Sequence, residues 1–240
     1  FEGFGWYGAL EEFNVTGMYK FRSANSDLLT YSGAPVDPSS TPISLSTGWN
    51  WIGFTPQNDG PITGALATVA ASPDDFIKNQ GASAQYFEGF GWYGGLEVMA
   101  PTEGYMLSVA SGSELIYPNF GADDALARLQ VRKELPAAIA DWELNYHDFE
   151  FNGTVTLSID SHEDMAGDYI AIFVGDELRG VAERKYFPFD DSYVYTAMVY
   201  SNLSAGEELS FKYYSSERNE VVTYRETLEF TSDMIVGDGF

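Results

Sequence analysis

The octapeptide FEGFGWYG stands at residues 1–8 and again, letter for letter, at 87–94. Sliding the chain against itself by 86 residues extends the match. Residues 1–31 then align with 87–117 without a gap, and 15 of the 31 positions are identical, among them Tyr19/Tyr105, Leu29/Leu115 and Tyr31/Tyr117. Such self-similarity is the mark of a repeat architecture. The intervening stretch, which carries ISLSTGWNWIGFTP and SPDDFIKNQGASAQY, has no second copy. One complete unit therefore runs from about 43 to 118, and residues 1–32 are the second half of another. Half a repeat cannot bury its apolar face alone. It must pack on the complete unit, on the rest of the chain or on another molecule, and strand complementation in trans is one way to satisfy it.

The unit reads as β. ISLSTGWNWIGF, GYMLSVAS and SELIY are short strand-like runs broken by Gly, Pro and Ser. PITGALATVAASPDDFIKN is the expected helix of the repeat, with Asp74 and Asp75 as a cap or first turn before Phe76 and Ile77. Lys78 and Gln80 then fall at a surface helix end. GAPVDPSSTP is an extended connector.

After Pro118 the texture changes. Residues 119–141, with GADDALARLQVRKELP, read as a linker or short helix. From Trp142 onward the strand signal strengthens. In DFEFNGTVTLSID, Phe149, Phe151, Val155, Leu157 and Ile159 alternate onto one side. DYIAIFVG is nearly continuous apolar sequence, as a buried strand requires. VGDELRG is a tight turn made by Gly175 and Asp176, with Arg179 in reach of Glu177 or Glu183. Several short strands in about 100 residues predict a sandwich. The expected fold is thus mainly β: a repeated β-rich region at 1–118 with a short helix, then an immunoglobulin-like β-sandwich at 142–240.

Charge removes several partners. The chain of 240 residues carries a net −24, with 3 Lys/Arg against 12 Asp/Glu up to residue 118 and 9 against 24 beyond it. A surface so acidic repels nucleic acid and anionic membranes. No apolar run reaches the ~18 residues of a membrane helix, so no insertion is expected. The absence of cysteine excludes disulfides, zinc–thiolate sites and cysteine nucleophiles. The chain opens on Phe1 without a signal-peptide pattern, and we expect a processed product or a piece of a longer polypeptide. Asn14, Asn152 and Asn202 begin sequons, which matter only in a eukaryotic source.

Three groups of residues are candidates for binding. The rings of the octapeptide are expected first to plug a core edge, the glycines permitting the backbone to fold; in the alternative reading Trp6, Tyr7, Trp92 and Tyr93 stack on pyranose faces, with Glu2 and Glu88 accepting from hydroxyls. Trp49 and Trp51 share one face of a strand, and the plain outcome is one buried and one partly exposed. DSHEDMAGD gathers Asp160, Glu163, Asp164 and Asp168 around His162, oxygen ligands of the kind Ca2+ prefers, though without EF-hand spacing; a solvated loop explains them as well. Neither His147 nor His162 stands in a Ser/His/Asp arrangement, no carboxylate pair is singled out, and nucleotide-loop and HExxH motifs are missing. No catalytic role and no cofactor other than calcium is expected.

The order GWNWIGF, DDFIKNQ, FEGFGWYGGL, PTEGYML resembles a repeat of long, multi-domain proteins of marine bacteria with relatives in diatoms. FVGDELRGVA, VYSNLSAGEELSFKYY and ETLEF resemble a β-sandwich module that accompanies it. The resemblance spans about 43–118, the half copy at 1–32 and most of the remainder. It implies exported, non-enzymatic, modular proteins at the cell surface or outside the cell. The expected function is a structural or adhesive module that self-assembles through β surfaces, as a homo-oligomer or with neighbouring repeats of a longer chain. The alternative is a carbohydrate-binding module presenting Trp/Tyr platforms to glycans.

Overall fold

A computed structural model describes residues 8–25, 28–30, 32–121, 134–159 and 166–237. The chain divides into two compact units, Phe1–Asn79 with Ala84–Arg128, and Gln80–Ser83 with Leu129–Phe240. Both are mainly β.

In the first unit, β1 (Ile43–Leu45), β2 (Gly48–Gly53), β3 (Gly60–Pro61), α1 (Ile62–Ala65), β4 (Phe76–Lys78), β5 (Ser83–Phe87), β6 (Gly91–Gly94), β7 (Val98–Met99), β8 (Gly104–Val109) and β9 (Ser113–Leu115) follow in order. Five strands form one sheet in the order β2-β8-β4-β5-β6, flanked by the pairs β1-β9 and β3-β7. Asn50 fixes the β1–β2 turn: its Nδ2 donates to the Ser46 and Gly48 carbonyls and its Oδ1 accepts from Ser46 N–H. Ile52, Ile77, Leu107, Leu115 and Tyr105 fill the core, where Phe54 meets Tyr105 and Tyr117 edge-on and stacks on Phe120.

The expected helix shrinks to the single turn α1. Pro73 interrupts the pattern, and the stretch Phe76–Lys78 is taken by β8 as a strand, in register with Ser108, Leu107 and Met106. Asp75 caps no helix. It is buried, and its two oxygens accept from Ser72 N–H (2.9 Å) and Ala110 N–H (2.7 Å), anchoring the turn before β4 to the end of β8. Lys78 is not a surface residue either. It is 1% exposed, with its ammonium over the Trp49 ring; cation–π contact suits a charge held away from water.

In the second unit the strands are β10 (Phe151–Leu157), β11 (Tyr169–Val174), β12 (Glu177–Glu183), β13 (Lys185–Phe187), β14 (Ser192–Ser201), β15 (Ala205–Ser215), β16 (Glu220–Thr231) and β17 (Ile235–Val236). They form two four-stranded sheets, β13-β14-β10-β17 and β12-β11-β15-β16. Val155, Tyr195, Ala197 and Val199 from one meet Ile170, Ile172, Leu209, Phe211, Tyr213 and Phe230 from the other in a single core. This is a β-sandwich. The apolar run of β11 is explained by burial on both faces. Ile170 and Ile172 point into the sandwich, whereas Tyr169, Ala171 and Phe173 point outward and are covered by Ile139 and Trp142. Residues 134–141, expected as linker, thus carry part of this unit's packing; the helix-like stretch before them lies outside the described residues.

Two of the three register irregularities in this sheet bring charges together. Ile172 pairs with Gly180 and Phe173 with Leu178, leaving Arg179 as the extra residue. A second irregularity falls between Ala205 and Glu208, where Glu207 sits. A bulge re-aims a side chain, and here two bulges aim opposite charges at each other. The Arg179 guanidinium lies 2.9 Å from Glu207, 3.1 Å from Glu177 and over the Phe149 ring. Gly175, with φ +59°, makes the two-residue loop between β11 and β12, as a hairpin turn demands.

Candidate functional site

The second copy of the octapeptide builds a hairpin. In the second copy Phe87 ends β5, Gly89 and Gly91 adopt φ +81° and +92°, and Gly91–Gly94 returns as β6 at the edge of the sheet. Only glycine accepts such angles without steric cost. The rings pair across the hairpin: Trp92 edge-on to Tyr86 at 5.5 Å, and Tyr93 edge-on to Phe87 at 6.3 Å. Trp92 and Tyr93 are consecutive in a strand and so face opposite sides. They are half-buried, with Glu88 exposed in the loop. They do not combine into one stacking platform. Glu2, Trp6 and Tyr7 of the first copy lie outside the described residues.

Trp49 and Trp51 do share a face, and both are exposed, at 36% and 46%, where one buried ring was expected. Lys20 stands 5.4 Å over Trp51 and Lys78 5.5 Å over Trp49. Of the calcium candidates, Asp168 is fully buried and its oxygens accept from Tyr213 Oη (2.6 Å), Ser216 N–H (2.7 Å) and Ser216 Oγ (2.7 Å). These donors give it a structural role, tying β15 to the strand it precedes. Asp160, Glu163 and Asp164 lie outside the described residues. Among the described residues no group of three or more His, Asp or Glu could hold a metal, and no helix is long and apolar enough to cross a membrane.

Of the three ways in which the half-repeat could be satisfied, a backbone contact with the complete unit is present, though its place in the sheet was not anticipated. Strand β2 is paired with β8 on one side. On the other, Gly17 forms a bridge to Ile52, Gly53 N–H donates to the Thr16 carbonyl at 2.9 Å, and Met18 N–H approaches the Trp51 carbonyl at 3.5 Å. The half-repeat therefore extends the sheet edge. Two glycines make room for it. A Cβ on Gly53 would stand 2.7 Å from the Val15 carbonyl oxygen and 2.9 Å from that of Gly17; one on Gly104 would stand 2.2 Å from Met18 Cγ. Met18 occupies the place in the half copy that Gly104 holds in the complete one. That exchange, visible in the aligned copies, was the available signal. Gly53→Val must displace backbone, not a mobile side-chain end. We expect it to release residues 15–18, with exchange of the Gly53 amide hydrogen at least tenfold faster and the Ile77 and Leu107 amides unchanged.

Equivalent positions in the two copies have opposite environments. Leu96, Tyr105 and Leu115 are 4%, 0% and 0% exposed; their counterparts Leu10, Tyr19 and Leu29 are 60%, 38% and 68% exposed. Burial in the complete unit comes from its first half, since Ile43 pairs with Leu115 and Ile52 with Tyr105. Tyr105 is further fixed by donating to Glu103 and accepting from Ala100 N–H, and burial, then the Glu103 charge, pushes its phenol upward. Compared with protein-family models, with curated proteins and with solved structures, the chain matches none.

Proposed function

We propose that this chain is a non-catalytic structural or adhesive module, exported to the cell surface or beyond, that assembles through β surfaces. The observation that carries this reading is the half-repeat: it adds to the edge of β2 by backbone hydrogen bonds while presenting Leu10, Tyr19 and Leu29 to solvent. Exposed large apolar residues in a segment bonded to a sheet edge invite pairing. The second unit lacks that invitation on its longest edge. Strand β16 displays Glu220, Arg225, Glu226 and Glu229, the charged edge that blocks unwanted pairing. The strand order β13-β14-β10 facing β12-β11-β15-β16 supports an immunoglobulin-like reading of that unit, and the repeat suits the modular exported proteins that the sequence resembles. The net charge of −24 keeps such modules from collapsing together except at specified contacts.

Light scattering from dilute to concentrated protein, with and without calcium, tests the proposal. The mass should rise with concentration and fall to that of a monomer in the double variant Leu10→Asp, Leu29→Asp. A monomer at every concentration would sink self-association. A second reading rests on Trp49 and Trp51, both exposed on one face of β2: a glycan platform. It requires a shift in tryptophan emission on adding oligosaccharides, abolished by Trp51→Ala.

A further inference from the structure

We infer that residues 8–25 and 28–30 are an acceptor for one particular occupant, a polypeptide segment with the first-half pattern of this repeat, of the kind residues 41–86 exemplify. The inference rests on the assembly reading and names its partner. Its basis is that the complete unit shows what pairs with two of the equivalent positions, Tyr105 and Leu115. There, β8 lies between β2 and β4, with Gly104 opposite Gly53, Tyr105 opposite Ile52, and Leu107 opposite both Asn50 and Ile77. Strand β9 lies against β1, with Leu115 opposite Ile43.

Transferring these pairs by the 86-residue offset gives a definite register. The occupant's counterpart of Gly53 falls opposite Met18, that of Ile52 opposite Tyr19, and that of Ile43 opposite Leu29. The apolar residues now exposed at Leu10, Tyr19 and Leu29 would then be covered as Leu96, Tyr105 and Leu115 already are. The seam with β2 leaves room for this. In the complete unit β4 pairs only with Met106 to Ser108 of β8, so among the described residues no strand of the first half pairs on that side ahead of Met106. Residues 17 and 18, which bond to β2 of the complete unit, correspond to that stretch. One half-repeat can therefore hold a first half on its flanks and the neighbouring unit at its entry. Backbone pairing supplies the affinity in such strand addition, and alternate side chains supply the selectivity.

The test adds a separately made polypeptide of residues 41–86 to the full chain and follows amide exchange. Residues 18–23 and Leu29 should exchange at least tenfold more slowly, with saturation at one equivalent, and Leu29→Asp together with Tyr19→Asp should abolish the slowing. As a second measurement, a chain with an added copy of 41–86 joined directly before Phe1 should show the same protection, because Tyr86 precedes Phe87 in the natural unit. No slowing in either experiment overturns the inference. So does protection that appears without the polypeptide and grows with chain concentration, since the occupant would then be a second copy pairing edge to edge. The two readings fail separately. A chain that is monomeric alone yet takes up the polypeptide keeps this inference and removes self-association; a chain that oligomerises but ignores the polypeptide does the reverse.

Discussion

Gly180→Val should destabilise the second unit by about 3 kcal/mol or more, above the usual range for adding methyl groups to a packed interior. A Cβ at Gly180 would stand 2.5 Å from the Met198 carbonyl oxygen, on the facing sheet. The obstacle is backbone, and neither sheet can turn a rotamer to escape it. Strands β12 and β14 must separate, and Arg179, the bulge residue next in the chain, must lose its aim. In thermal unfolding followed on the full chain, the transition of the sandwich should fall by about 12 °C or more, and amide protection across β11 and β12 should fall with it. Gly175→Ala is the contrast. Nothing lies within 4 Å of a Cβ there, and only the φ of +59° resists it. A Gly180→Val protein as stable as the parent would mean that the sheets do not approach as described.

The second large effect concerns the charges that the two bulges bring together. Arg179 is 5% exposed, its Nη1 donates to the Tyr200 carbonyl, and its Nη2 donates to Glu207 and Glu177. Glu207 also accepts from Ser201 Oγ. The pairing is incomplete, because Arg179 Nε is buried without a hydrogen-bond partner among the described residues. Removing Glu207 leaves the buried Arg179 with only the solvent-exposed Glu177 as counter-charge. Glu207→Leu should therefore cost about 3–5 kcal/mol, while a close-packed apolar pair in place of both residues is close to neutral. The measurement is a double-mutant cycle in urea with Glu207→Leu, Arg179→Met and their combination. We expect the double variant to be more stable than either single one. Additive losses would show that Arg179 and Glu207 act independently.

Much of this was legible in the chain. The FVGDELRGVA stretch shows its turn openly, since Gly175 and Asp176 have the backbone preferences a two-residue hairpin loop needs. The same stretch hides its bulge. Whether Arg179 is paired or extra is decided by how many residues Tyr169–Val174 offers opposite, and a single strand does not contain that count. The failed helix has a similar cause. Ile62, Ala65, Leu66 and Val69 have helical spacing, but β8 draws the later residues Phe76–Lys78 into its ladder, and local periodicity cannot see a strand 30 residues away. Lys78 was read as exposed because lysine usually is; the Trp49 ring that receives it comes from another strand. The hairpin of FEGFGWYG could be anticipated from its glycines. The separation of Trp92 and Tyr93 onto opposite faces followed once that stretch was a strand.

The bridge between Gly17 and Ile52 joins unlike surfaces, the entry to one repeat's penultimate strand and the outer side of another's second strand. A contact of that kind has no two-fold axis. Each unit gives one surface and receives a different one, so joining two leaves both kinds still on offer at the ends. Units that associated this way would not close as two-fold pairs; they would form a ring where the rotation closes and a directional series where it does not. Its length is limited by how many repeats are supplied and by whatever caps the last acceptor, and its two ends are chemically distinct.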